Sequence, residues 1–291
     1  MEICGREVSR TTTAGGKVSP EANQPMTETI LNRVRDLLEQ QKKQEPLEEL
    51  KSRLPGPPVR SLSRSLRQNR FSLIAEVKKA SPSAGLLRRS YRPAVLAKSY
   101  EKNGACAISV LTCPYFFHGS LEDLRKVREA TTIPILRKDF LVDPYQIVQS
   151  RVYGADLVLL IVRLLSEEKL KSLLADALSL GMEALLEVHD NHQLKSVLPL
   201  ACRSGVILGV NNRDLKTLKT DLGTSFRLIK EINCDKIPVV SESGIKDGAE
   251  LQQLQKAGFR GALVGTSLLR GANPGKKLRN LLSFCQQETG H

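Results

Sequence analysis

Three charged residues at strand-like spacing, Glu76 and Lys78 in Ile74-Ala75-Glu76-Val77-Lys78 and Lys138 in Pro134-Ile135-Leu136-Arg137-Lys138-Asp139-Phe140, could do proton chemistry. Alternation in an extended chain puts Glu76 and Lys78 on one face, opposite in charge and adjacent, and aligns Lys138 with the apolar Leu136. Further polar residues end later apolar runs: Glu187 in Leu185-Leu186-Glu187-Val188-His189, Asn211 in Gly209-Val210-Asn211-Asn212-Arg213-Asp214, and Glu242 in Ser241-Glu242-Ser243-Gly244. Taken singly, each is explicable as a strand-end ion pair or a solvated strand end. Gathered around one mouth they form a ring of charges that a purely structural fold does not need, since each costs free energy to desolvate unless paired. Two lysines sharing a partly dry pocket with carboxylates are equipment for moving protons to and from a carbonyl compound.

The elements that must gather these residues follow from the hydropathy pattern. From residue 71 the chain repeats an apolar run, a polar loop, a helix of about three turns and a glycine. Strands are expected at 73–78, 107–111, 133–137, 157–161, 184–188, 206–210, 238–241 and 261–264, spaced as βα units are. Eight such units predict an α/β fold, a closed (β/α)8 TIM barrel, whose active site lies at the C-terminal ends of the strands. An open doubly wound sheet is the alternative, and no GxGxxG follows the first strand to support it. Ser120 with Asp123 predicts a capping box, Asp143-Pro144 a capped helix start, and Gly104, Gly154, Gly181 and Gly258 the helix stops. Gly244 after the seventh strand, and Gly265 with Thr266 after the eighth, stand where barrels commonly hold phosphate.

Ahead of the barrel (71–288), residues 26–70 predict a helical extension, with Ile30, Leu31, Val34, Leu37, Leu38, Leu47 and Leu50 at helical spacing before a break at Pro55, Pro57 and Pro58. Residues 1–25 lack periodicity and are expected to be a poorly ordered leader, with Met26 an alternative start. Lys and Arg number 44 against 31 Asp and Glu, a net charge of +13 that suits an acidic metabolite. The basic residues are interleaved with acids along the chain and form no nucleic-acid motif, and no apolar run is long enough to span a membrane. Six scattered cysteines, without CxxC pairs or zinc spacing, read as thiols of a reducing, cytoplasmic setting; Glu2, Glu7 and Glu21 argue against organellar targeting by the leader without excluding it.

In order along the chain, Ile74-Ala75-Glu76-Val77-Lys78-Lys79-Ala80-Ser81-Pro82-Ser83, Leu136-Arg137-Lys138-Asp139-Phe140, Leu186-Glu187-Val188, Asn211-Asn212-Arg213-Asp214-Leu215, Ser241-Glu242-Ser243-Gly244-Ile245 and Val264-Gly265-Thr266-Ser267 make residues 30–282 resemble indole-3-glycerol phosphate synthases. The resemblance implies a barrel with a helical extension over its mouth, which closes the ring of 1-(2-carboxyphenylamino)-1-deoxyribulose 5-phosphate with loss of carbon dioxide and water, using no cofactor and no metal. It implies Lys138 as general acid at the substrate carbonyl, Lys78 as partner of a substrate anion and aid to dehydration, and Glu187 and Glu76 as acid–base carboxylates. These four can exchange protons as a coupled set, so their individual steps stay open. Asn211 would orient the substrate or stabilise the intermediate, with Arg213 near its polar groups and Glu242 and Ser243 completing the mouth. Ser81, Gly244, Gly265 and Thr266 match phosphate positions, while Phe117, Phe140 and Leu159 would line the aromatic pocket. Cys113 stands where the family more often has an acidic residue, and His118 reads as a loop residue.

The partner so implied is a small phosphorylated substrate, with nucleic acid and membrane excluded. The chain is expected to be a monomer or weak homo-oligomer, with other enzymes of tryptophan biosynthesis as further candidates for contact. A neighbouring phosphate-binding barrel, phosphoribosylanthranilate isomerase, would share the loops after strands seven and eight but needs a different acid–base set. A basic binding module without catalysis would instead bind polyanions in a salt-sensitive way.

Overall fold

Eight short apolar runs form parallel strands: β1 (Ser72–Val77), β2 (Ala107–Leu111), β3 (Ile135–Lys138), β4 (Leu157–Ile161), β5 (Glu183–Val188), β6 (Val206–Asn211), β7 (Val239–Glu242) and β8 (Gly261–Val264). The computed structural model describes residues 26–286 apart from 57, 58, 69, 82–84, 89, 215, 216, 234 and 235. Each strand pairs with its sequence neighbours, and β1 closes on β8 from Ser72 opposite Gly261 to Ala75 opposite Val264. The result is the expected (β/α)8 barrel. Expected strand ends differ by one or two residues, most at β3, which starts at Ile135 because Pro134 supplies no N–H to a ladder. The leader expected over 1–25 lies outside the described residues, as do Pro57, Pro58, Pro82, Ser83 and Leu215.

Alternation sorts the strand residues into two sets. Outward side chains such as Leu73, Val110, Val158, Leu186, Leu208 and Val239 pack against the surrounding helices. Inward ones, Ile74, Leu136, Leu157, Leu185, Ile207, Val240 and Leu263, fill the interior. Two residues further along the same faces stand Glu76, Lys138, Leu159, Glu187, Gly209, Glu242 and Gly265. An apolar plug therefore lies directly beneath a polar layer at the C-terminal end.

Helix boundaries follow local chemistry. Asp143 accepts from the Tyr145 N–H at 2.9 Å, and Gln146 Oε1 accepts from the Asp143 N–H at 3.2 Å, so the reciprocal capping box forms here. At Ser120 the hydroxyl accepts from the Asp123 N–H at 3.1 Å, the N-cap half of the expected box. The four expected stop glycines all have positive φ. At Gly154 a side chain would also meet Arg128, with a Cβ 2.5 Å from its Cγ.

The extension serves both ends of the barrel. In the helix Met26–Gln44, Ile30, Val34 and Leu38 bury one stripe; Ile30 and Val34 join Phe140 and Cys113 at the mouth, while Leu38 packs with Leu50 and Tyr145. Tyr145 Oη donates to the carbonyls of Gln41 (3.1 Å) and Glu45 (2.8 Å). The chain then reaches the opposite end, where Leu62 and Leu66 of the helix Leu62–Leu66 cap the interior. Glu183, at the start of β5, accepts from the Leu62 N–H (2.8 Å), the Ser63 N–H (3.0 Å) and the hydroxyls of Ser61 and Ser63 (2.6 Å each). A carboxylate on the exposed N–H groups of a helix start also meets a favourable dipole. Asp156, ahead of β4, accepts from the N–H groups of Arg60 (3.0 Å) and Ile135 (2.9 Å) and pairs with Arg128 at 2.7 Å. Among the described residues no helix is long and apolar enough to cross a membrane.

Replacing Glu183 by Ala strands four donors, two of them buried backbone N–H groups. Urea unfolding is expected to show a loss of about 3 kcal/mol. A change below about 0.5 kcal/mol would mean that water replaces the carboxylate without penalty.

Candidate active site

The polar layer opens into a cavity of about 480 Å³ at the C-terminal end of the barrel. At its floor the Lys138 ammonium bridges two carboxylates, Glu187 Oε2 at 3.1 Å and Glu242 Oε2 at 2.9 Å. Lys138 is held in place by its neighbours in the chain. Arg137, 2% exposed, donates from Nε to Thr112 Oγ1 (3.1 Å), from Nη1 to Gln149 Oε1 (3.0 Å) and Ser150 Oγ (3.1 Å), and from Nη2 to Asp139 Oδ2 (3.0 Å). This buried fork ties both sides of Lys138 to the helix Pro144–Val152.

Burial works against the Lys138 charge, but Glu187, Glu242 and Glu76 hold its ammonium well above the usual lysine range. Burial alone would raise Glu187; Lys138 and then His189 outweigh it and hold the carboxyl below its ordinary value. Glu242 goes the other way. Its burial, reinforced by Glu187 and only partly opposed by Lys138, pushes it up to about 7. The two carboxylates are thus driven apart in protonation.

Opposite this cluster, Lys78 Nζ pairs with Glu76 Oε1, both side chains nearly buried. Two glycines make the room. A Cβ on Gly265 would lie 2.2 Å from Glu76 Oε1, and one on Gly209 the same distance from Glu242 Oε1. Gly265 therefore has a packing duty toward Glu76 beyond any role in a phosphate loop.

The apolar wall comes from Phe117, Phe140 and Leu159, the two rings 6.4 Å apart between centroids. Asn211 and Arg213 line the cavity beside Glu187, with Asn211 Oδ1 accepting the Arg213 N–H at 3.0 Å and Arg213 Nη1 bonded to the Leu218 carbonyl at 3.0 Å. Ser81, Ser243, Gly244, Gly265 and Thr266 form the rim supplied by the loops after β1, β7 and β8. The structure thus brings together on one cavity every residue singled out in the sequence except Glu242. That carboxylate sits behind Lys138, 1% exposed, and reaches the cavity only through the ammonium. Cys113 lines the cavity with its thiol pushed up by burial, donating to the Tyr115 carbonyl at 3.1 Å.

Sequence reasoning missed Asn212. Its amide nitrogen donates to Ser241 Oγ (3.0 Å) and to the carbonyls of Glu242 (2.9 Å) and Ser243 (3.1 Å), and its oxygen accepts from the Ser225 N–H (3.0 Å) and hydroxyl (2.9 Å). This holds the end of β7 where Ser243 adopts φ 66°, a conformation that a non-glycine residue rarely takes. It was hidden because Asn211, its neighbour, carries the same side chain and faces the cavity. Lys246 and Arg270, also on the lining, add two cations near the Gly244 and Gly265 loops; a basic residue shortly past each glycine was the available signal. Ile30 reaches the lining from the extension. Among the described residues no group of three or more His, Cys, Asp or Glu could hold a metal ion.

Comparison with known proteins agrees with this geometry. The family model for indole-3-glycerol phosphate synthase matches residues 27–281. The chain is 46% identical over 239 residues to the indole-3-glycerol phosphate synthase of Dehalococcoides mccartyi (strain CBDB1), covering 81% of this chain and 90% of that protein. It is 50% identical over 198 residues to that of Rhodopirellula baltica, covering 68% and 75%. Among solved structures, a 3-hexulose-6-phosphate synthase superimposes with a TM-score of 0.58 at 15% identity, covering 74% of this chain and 99% of that one, a likeness of fold alone. The match of sequence over nearly the whole barrel, on a mouth built around Lys138, Glu187, Glu76 and Lys78, means that the chain belongs to the indole-3-glycerol phosphate synthase family, carboxy-lyases of tryptophan biosynthesis.

Proposed function

We propose that Lys138 is the general acid of the ring closure, with Glu187, Glu76 and Lys78 completing the proton transfers. The observation that carries this reading is the ammonium of Lys138 held between Glu187 and Glu242 at the floor of the cavity. In the reaction, the aromatic carbon bearing the carboxylate of 1-(2-carboxyphenylamino)-1-deoxyribulose 5-phosphate attacks the ketone carbon, and the ketone oxygen takes a proton from Lys138. The carboxylate then leaves as carbon dioxide, and its bonding electrons return to the ring. The new hydroxyl leaves as water with a proton from the coupled lysines and carboxylates, while a carboxylate takes the proton lost in forming the indole. An ammonium aimed at the developing oxyanion stabilises it in a partly dry site, where the interaction is stronger than in water.

Lys78 supports this by neutralising a substrate anion, with Glu76 setting its position. Phe117, Phe140 and Leu159 would clasp the flat anthranilate ring, and Asn211 with Arg213 would orient the polar chain. Ser81, Ser243, Gly244, Gly265 and Thr266 suit the phosphate, reinforced by Lys246 and Arg270. Glu242 keeps Lys138 in place from behind and switches charge near neutrality. The described thiols Cys106, Cys113 and Cys202 suit a reducing, cytoplasmic setting.

The chain has no Trp and only 5 Tyr, so indole fluorescence from product stands out on mixing enzyme with substrate. Lys138→Ala is expected to lower kcat by about 10³-fold or more with the fold retained by circular dichroism; turnover at the wild-type rate would remove Lys138 from the acid role. Glu187→Gln is expected to lower kcat by about 10²-fold or more while thermal stability changes little. Equal loss of both would make that residue structural.

Glu242 yields a stability test. Its carboxyl is raised on folding, so the folded state holds a proton that the unfolded state releases, and stability falls as pH rises from the ordinary carboxylate range through about 7. Melting curves at pH 5 and pH 8 are expected to show Glu242→Gln gaining on the wild type as pH rises; parallel curves would place Glu242 at an ordinary carboxylate value.

A further inference from the structure

His189 follows Glu187 by two residues, so alternation sets both on the inward side of the barrel at the end of β5. Its side chain is 7% exposed, and neither ring nitrogen has a hydrogen-bond partner. Buried polar groups in folded proteins are paired with few exceptions, and an exception asks for a reason. Here the geometry supplies one. Nε2 lies 3.4 Å from Glu187 Oε1, the oxygen not used by Lys138, whose Nζ is 3.1 Å from Oε2. The groups facing the ring are Glu187 on β5, Arg163 from the turn after β4, Lys138 on β3 and Gln193 on the helix Asn191–Ala201. Gln193 Oε1 accepts the His189 backbone N–H at 3.0 Å and so fixes where the ring starts.

Burial lowers the affinity of the ring for a second proton, Glu187 and then the Gln193 side chain oppose this in part, and Arg163 and Lys138 add to it. The imidazole is neutral at pH 7 and carries one N–H. Beside a carboxylate, that hydrogen belongs on the nitrogen nearest the oxygen.

We propose that His189 is a positioning residue for Glu187: a neutral imidazole whose Nε2–H faces Oε1, so that the carboxylate is gripped at both oxygens, one by Lys138 and one by the ring. The last side-chain torsion of a glutamate is soft, and a carboxylate held at one oxygen swings about it. Gripped at both, Glu187 keeps its plane fixed relative to Lys138 and the cavity, and a donor on Oε1 favours its ionised form. At 3.4 Å the contact is long and not aligned as a hydrogen bond in this structure; hydrogen bonds of catalytic groups are often long or poorly aligned before substrate binds and tighten in the complex. The proposal rests on the acid–base reading of Glu187 and extends it.

The first test needs no turnover. Proton–nitrogen correlation spectra of the ¹⁵N-labelled wild type at pH 7, with the signal assigned by its loss in His189→Gln among the four histidines, are expected to show a neutral ring protonated at Nε2. A cationic ring, or one protonated at Nδ1, overturns the proposal. Kinetics give the second test. His189→Leu is expected to lower kcat about tenfold with KM held within about twofold, and to move the acid limb of the kcat–pH profile to higher pH. His189→Gln, whose amide nitrogen can stand near the place of Nε2, is expected to restore most of kcat and return the limb. Equal impairment in both variants with the limb unmoved would reduce His189 to packing and overturn the proposal. Glu187→Gln turning over at the wild-type rate would instead overturn the acid–base reading and the positioning role with it, a result separable from the tautomer seen in the spectra.

Discussion

An ammonium caught between two buried carboxylates organises this molecule. Lys138, Glu187 and Glu242 come from three different strands, and each would cost several kcal/mol to bury alone. Together they are affordable only if held within hydrogen-bond distance, and that is a demand on the whole barrel. The register of β5, β6 and β7 must set Glu187 beside Gly209 and Asn211 beside Glu242. Gly209 must lack a side chain so that Glu242 has space, and Gly265 does the same for Glu76. Arg137 and Asp139 must anchor the strand on either side of Lys138. Even so the cluster is not at rest, because one lysine cannot fully compensate two carboxylates in a dry floor, and Glu242 is left titrating near neutrality.

The two ends of the barrel treat polar groups in opposite ways. At the N-terminal end, Glu183 meets four donors and Asp156 is bonded to two backbone N–H groups and Arg128. These charges are saturated, and they weld the segment around Leu62 to the strands. At the C-terminal end, Ser81 Oγ, Ser267 Oγ, Glu242 Oε1 and both His189 nitrogens are buried without partners. Tyr91 Oη, Tyr100 Oη and Ser109 Oγ are also buried without partners, so unsatisfied groups are not confined to the mouth, but the mouth holds the unpaired carboxylate oxygen and imidazole. The extension joins the two regimes, packing Ile30 and Val34 at the mouth and Leu62 and Leu66 at the base of one continuous interior.

Much of this was legible from residue order. Short apolar runs marked all eight strands, and period-two alternation within them puts Ile74 below Glu76, Leu136 below Lys138 and Leu185 below Glu187, because side-chain direction in a strand is a local property. Helix starts and stops were equally local: Asp143 before Pro144, Gly154 where φ is positive. The ordered motifs around Glu76, Lys138, Glu187, Asn211, Glu242 and Gly265 carried the family resemblance as well. The extension was legible as helices, since its apolar stripe repeats every three or four residues.

What spacing along the chain could not supply was which polar group faces which across strands. That Lys138 joins Glu187 and Glu242 rather than Glu76, that Glu242 stands behind the cavity and not on it, and that Asn212 ties two strand ends together while Asn211 faces the cavity all depend on registers between segments 29 to 104 residues apart. The same holds for the path of the extension from the mouth to the base, and for Glu183 as the group that receives it. The sequence by itself determined the strands, the inward faces and the kinds of residue at the mouth, since these follow from local periodicity and chemistry. Only the closed barrel decided pairing, burial and charge state, since these depend on distance and dielectric between residues that the chain order keeps apart.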